Sequence, residues 1–148
     1  MERTTINLRD DLTELARLRD LVDALGRKHG WSAQVLGDVQ LALEESATNA
    51  INYAFRTDGA APARAGEREF TVRLNCTADE LIVELEDDGQ AFDPLTLPPP
   101  DFESPLEEMR VGGWGIHLVR QVMDEVAYRR QDGKNLLMLK KRLTGTVR

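Results

Sequence analysis

The chain has 148 residues, the size of one ordinary domain, and 41% apolar against 30% charged residues suits a folded core rather than disorder. Its 19 Lys and Arg against 26 Asp and Glu leave a net charge of −7. That charge argues against a general nucleic-acid binder, whose affinity rests on cations that neutralise phosphates. No apolar run of about 18 residues occurs, and Met1–Asp10 lacks an apolar signal core, so a cytoplasmic protein with no membrane span is expected.

Thr4–Leu8 alternate as a short strand does. Asp10 or Asp11 can then cap a helix whose apolar positions Leu12, Leu15, Leu18, Leu21, Val22 and Leu25 recur at helical spacing, with Gly26 or Gly30 as its stop. Ser32 can cap a second helix that runs to about Phe55. Val35, Val39, Leu43, Ala47 and Ile51 lie in its buried stripe. Asp58–Gly66 is rich in Ala, Gly and Pro and reads as a connection. Phe70–Cys76 and Leu81–Glu86 read as strands paired in a hairpin across Thr77–Glu80. Cys76, the lone cysteine, can close no intrachain disulfide, and with only His29 and His117 beside it offers no structural zinc spacing.

Asp93–Arg110 holds five of the six prolines and many acids, the composition of a long functional loop or lid. Val111–Gly115 opens a third helix with Ile116, Val119, Val122 and Met123 inward. Two closing strands, Val126–Arg130 and Asn135–Leu143, meet at Asp132-Gly133, a hairpin signal. Helices and strands segregate, so the class is α+β, one domain over 1–148, with helices on one face of a largely antiparallel sheet.

Three constellations can carry chemistry. Glu45, Asn49 and Asn52 are spaced four and three apart and form one polar ridge on the second helix. A carboxylate there can accept a proton, and a carboxamide one turn on can offer Mg²⁺ a hard oxygen; read alone, the ridge is a solvated helix face. Asp87-Asp88-Gly89 leaves the end of an apolar strand, where a carboxylate can accept from a ligand amine and a glycine lets the ligand approach; read alone, it is an Asp-Gly turn. Gly112-Gly113-Trp114-Gly115 opens a helix, and free amides at a helix start can hold an anion; read alone, it is a glycine hinge. There is no P-loop, no complete dinucleotide fingerprint and no Gly-x-Ser-x-Gly elbow. His117, Trp31 and Trp114 read as packing or surface residues.

Taken in order, these stretches resemble the N, G1 and G2 boxes of the GHKL superfamily, which joins gyrase-type ATPases, sensor histidine kinases and their relatives. Glu44–Ala54, Asp87–Pro94 and Gly112–Arg120 with Met123–Val126 look most like the anti-sigma-factor serine/threonine kinases. The resemblance covers nearly the whole chain. It implies a two-layer sandwich with a mixed, largely antiparallel sheet (the Bergerat fold) and an ATP lid at about 93–112. It also implies a cytoplasmic ATP-dependent kinase that phosphorylates an anti-sigma-factor antagonist of the STAS type, binds a sigma factor and forms a homodimer.

The site residues follow from the same resemblance. Asn49 would coordinate the Mg²⁺ bridging the ATP phosphates, and Glu45 would be the general base for an incoming hydroxyl. Asp87 would accept the adenine amino group, and Gly89 would give the base room. Gly113 and Gly115 would bring amides to the phosphates. Ala91 and Val111 stand where relatives often carry glycine, and Tyr53 where histidine is frequent. Ala91 and the unusual lid motivate an alternative, a nucleotide-gated interaction module without kinase activity. A detached histidine-kinase catalytic domain fits less well, because no dimerising helical hairpin with a phosphoacceptor histidine is present.

Overall fold

The computed structural model describes residues 1–54, 68–96 and 113–143, the side chains of residues 53, 54, 113 and 114 excepted. The connection read at Asp58–Gly66, most of the lid and the glycines' lead-in at Val111-Gly112 lie outside the described residues.

Strand β1 (Glu2–Arg9) comes first, as its alternation predicts. Asp11 Oδ1 then accepts from Thr13 N at 3.0 Å and caps a single 3-10 turn, Leu12–Glu14, ahead of helix α1 (Leu15–His29). That turn places Leu12 before the helix and off its buried face, so it is 51% exposed although its spacing puts it in the stripe. Gly30 ends α1 in the left-handed region at φ 67°, which costs glycine little. Gly26 stays inside the helix, where a Cβ would press on Leu36 and Trp31. Ser32 Oγ accepts from Val35 N at 3.1 Å and caps α2 (Ala33–Asn49). The helix widens into a π-helical turn over Ala50–Ala54, a local geometry often found at functional sites.

β2 (Glu69–Cys76) and β3 (Glu80–Asp87) form the expected hairpin, closed by Thr77 N donating to Glu80 O at 2.9 Å. Helix α3 spans Gly113–Val122, and β4 (Glu125–Gln131) and β5 (Lys134–Arg142) close the chain. Their two-residue turn has positive φ at both Asp132 (54°) and Gly133 (75°), the type I′ geometry that Asp-Gly supports.

The sheet runs β1-β2-β3-β5-β4. All four pairings are antiparallel, so the mixed sheet implied by the resemblance has no parallel pair among the described residues. One face carries Leu8, Phe70, Val72, Leu74, Leu81, Val83 and Leu139, each at most 1% exposed, against Val22, Val39, Leu43, Ile116 and Val119 of the helices. The other face is laced by surface ion pairs such as Arg73–Glu86 and Lys140–Glu80. The class is therefore α+β with helices on one sheet face. A single layer of helices leaves the inner sheet positions near the strand ends open to form a pocket.

Candidate functional site

Alternation along β3 decides where Asp87 points. Val83 and Leu85 are buried on the helix side, so Asp87, two further on, shares that face. The register sets Asp87 directly opposite Asn135 of β5, and Asn135 directly opposite Arg130 of β4. Three polar side chains thus line up across the end of an otherwise apolar sheet face.

Asp87 Oδ1 accepts from Gly89 N at 2.9 Å, the local turn that an Asp-x-Gly sequence favours, and from Asn135 Nδ2 at 2.8 Å. Burial pushes the Asp87 carboxyl above its ordinary value. The bonds from Asn135 and Gly89 pull it back, the Asp88 charge raises it and Arg130 lowers it. Asn135, 4% exposed, also donates to Gln90 O at 2.8 Å and accepts from Phe92 N at 3.2 Å and Tyr128 OH at 2.5 Å. Arg130 Nη1 donates to Gly89 O at 2.8 Å, and Arg68 holds Asp88 through both its backbone and its carboxylate. The loop after β3 is fixed at nearly every residue.

Across the pocket stands α2. Asn49 is 3% exposed, and neither its Oδ1 nor its Nδ2 has a hydrogen-bond partner among the described residues. Ser46 Oγ, one turn back, is in the same condition. The solvated-face reading of this ridge therefore fails at Asn49, which is buried. Buried polar atoms left unpaired cost about 1–3 kcal/mol each, so such a cluster fits a polar group supplied from outside the chain. Glu45 is half-buried, and burial, followed by the neighbouring Glu44 charge, raises its carboxyl above the ordinary value. Glu44 itself is exposed and pairs with Arg19 at 3.0 Å.

Ser46, Asn49 and Ala50 on one side and Leu85, Asp87 and Leu137 on the other bound one cavity. Phe92, Pro94, Tyr128 and Asn135 complete it, around about 320 Å³ of empty space that includes its open mouth. An apolar slot with a few convergent polar groups suits a flat heteroaromatic ligand. The third constellation joins at Glu45. Gly115, in the first turn of α3, lies so close that a Cβ there would overlap Glu45 Oε2 and sit 3.2 Å from Glu45 Cδ. Gly113 is the first residue of α3.

Of the residues singled out in the sequence, Asn49 and Asp87 line one pocket from opposite sides, and Gly89 bonds to Asp87. Glu45 and Gly115 meet one helical turn away. Asn52 is half-buried in the π-helical turn, and Ala91 is exposed. Among the described residues no group of three or more His, Cys, Asp or Glu could hold a metal, and no helix is long and apolar enough to cross a membrane. A divalent ion here would depend on Asn49 together with its ligand's own oxygens.

Residues 8–141 match the family model described as the histidine kinase-like ATPase domain. The chain belongs to this family. The GHKL resemblance carried by the three motifs is borne out, and the family implies nucleotide use. Among its relatives, serine-protein kinase RsbW of Listeria monocytogenes is 28% identical over 145 residues, covering 94% of this chain and 87% of that protein. Serine/threonine-protein kinase BtrW of Bordetella bronchiseptica is 30% identical over 109 residues, covering 74% of this chain and 72% of BtrW. A solved structure of the RsbU and RsbW domains of Rv1364c from Mycobacterium tuberculosis superposes with a TM-score of 0.66 at 15% identity. It covers 97% of this chain, which spans about a third (32%) of that longer one, and it shows the shared histidine kinase-like fold.

Sequence reasoning missed Ser46, Tyr128, Arg130 and Asn135. A signal for one of them was present: Asn135 stands in phase with the inward Leu137 and Leu139, where alternation calls for an apolar residue.

Proposed function

We propose that this chain is an ATP-dependent serine/threonine protein kinase. In this reading it acts as an anti-sigma regulatory factor, phosphorylating an anti-sigma-factor antagonist of the STAS type and binding a sigma factor. The observation that carries the reading is the convergence of Asp87 and the unpartnered Asn49 on one pocket, with Glu45 one turn beyond against the start of α3. The kinase names of the similar proteins from Listeria and Bordetella support it.

In this reading Asp87 accepts the adenine amino group, and Leu85, Phe92, Tyr128 and Leu137 flank the base. Asn49 Oδ1 holds Mg²⁺, which supplies charge neutralisation at the phosphates. Backbone amides at Gly113 and Gly115 aid it, which lets an acidic chain hold a polyanion. Glu45 takes the proton from the incoming serine or threonine hydroxyl as that oxygen bonds to the γ-phosphorus and ADP departs. Its raised pKa makes it a stronger base than an exposed glutamate. Phosphoryl transfer asks chiefly for positioning and charge stabilisation, so a metal ligand, amide donors and one base suffice. The protein acts in the cytoplasm, as a homodimer.

Incubation with γ-labelled ATP and a candidate antagonist tests the proposal. Wild type transfers label to a serine or threonine and Glu45→Ala does not. ATP binding without transfer to any antagonist would instead support the nucleotide-gated module that Ala91 and the unusual lid composition motivate.

A further inference from the structure

The pocket contains a residue whose bonding is complete without any ligand. An asparagine side chain has two N–H donors and two oxygen lone pairs. Asn135 uses all four within the chain: Nδ2 to Asp87 Oδ1 and Gln90 O, and Oδ1 from Phe92 N and Tyr128 OH. Only one orientation of the amide serves all four partners. Asn135 therefore ties β4, β5 and the loop after β3 to one oxygen of Asp87.

Asp87 is under opposing demands. Burial favours its neutral acid form, which carries an O–H and can donate; the ion can only accept. Adenine offers an amino donor at its six-position, and guanine offers a carbonyl acceptor there. At that position an ionised Asp87 therefore accepts from the adenine amino group and repels the guanine carbonyl, whereas a protonated Asp87 can donate to that carbonyl. Asn135 is foremost among the groups that hold the ion, ahead of the Gly89 amide and Arg130. Both donors fall on Oδ1, so the carboxylate cannot rotate without breaking them.

We infer that Asn135 is a positioning residue for base selection: by locking Asp87 as a pure acceptor, it makes the pocket choose adenine over guanine nucleotides. The inference rests on the adenine-site reading above and adds to it the source of specificity, one strand away from the residue that meets the base.

Calorimetric titration of the full chain with Mg²⁺–ATP and with Mg²⁺–GTP tests it in wild type, Asn135→Asp and Tyr128→Phe. Asn135→Asp keeps the side-chain shape but sets a second carboxylate against Asp87 Oδ1. Two carboxylates in contact share a proton, so Asp87 is no longer held as a pure, fully ionised acceptor. The ATP-over-GTP preference should fall by about tenfold or more, the worth of one charged hydrogen bond. Tyr128→Phe removes one tether from the amide oxygen and leaves Nδ2 in place, so the preference should fall by only about threefold. Damage to packing alone weakens both nucleotides together and leaves their ratio unmoved. An unchanged ratio in Asn135→Asp, or in Tyr128→Phe should the former not fold, overturns the inference while the adenine-site reading stands. A wild type that binds neither nucleotide overturns both.

Discussion

Gly115 of α3 packs directly onto Glu45 of α2: a Cβ at residue 115 would overlap Glu45 Oε2 and lie 3.2 Å from its Cδ and 3.3 Å from its Cβ. A glycine's small size, rather than its freedom at positive φ, is what this contact needs. The atoms that must give way belong mostly to a flexible side chain. Gly115→Ala should therefore destabilise the fold only at the low end of the about 1–3 kcal/mol usual for overpacking. It should displace the carboxylate, and phosphotransfer should fall by about tenfold or more, since misplacement of about 1 Å at a reacting group can cost 10²-fold. Thermal melting and single-turnover phosphotransfer on the same sample check the two halves.

Glu45→Gln should lower phosphotransfer by about 10²–10⁴-fold, the usual worth of a positioned base, and leave ATP affinity nearly unchanged. The sign of the pH dependence follows from the raised carboxyl pKa. Glu45 works only when ionised, so the rate should rise as pH climbs through the raised value and level off above it. The pH profile of single-turnover rates should lose that rise in Glu45→Gln.

Asp87→Asn separates function from stability. Burial raises the Asp87 pKa in the folded chain above the unfolded 3.8. The folded state therefore holds the proton more tightly, and stability falls as pH rises from the unfolded value to the folded one, then stays at its lower level. A neutral amide escapes this loss. At pH 7 the variant should melt higher, by roughly 2–4 °C if it gains about 1 kcal/mol, and its melting temperature should depend less on pH across that window.

The fold was legible because each element announces its ends locally. Ser32 caps α2, Gly30 stops α1 and Asp132-Gly133 turns the last hairpin, each by short-range chemistry that the sequence states outright. Leu12 was misplaced because a 3-10 turn beginning at the Asp11 cap shifts the start of α1 by three residues, which periodicity does not register. Glu45, Asn49 and Asp87 were legible as candidates, but their convergence was not, since it depends on how α2 lies across β3. Burial of Asn49 is likewise a tertiary fact. Asn135 was missed because its partners, Asp87 and Gln90, lie 48 and 45 residues away, and only the register of β3 against β5 brings them together.

Asn49→Leu removes two buried polar atoms that lack partners and keeps most of the volume. Without nucleotide the variant should be as stable as wild type or more so, by about 1 kcal/mol, because the desolvation cost of those atoms disappears. Its ATP affinity should no longer respond to Mg²⁺. Melting curves without ligand and ATP titrations with and without Mg²⁺ make the comparison.

The most direct measurement is calorimetric titration of ATP with Mg²⁺ into the wild-type chain, run beside Asp87→Asn. Saturable binding to wild type, weakened in the variant by about 1.5–3 kcal/mol, is the predicted result, because a charged acceptor is lost. Equal affinities in the two chains, or no heat of binding at millimolar ATP, would contradict it.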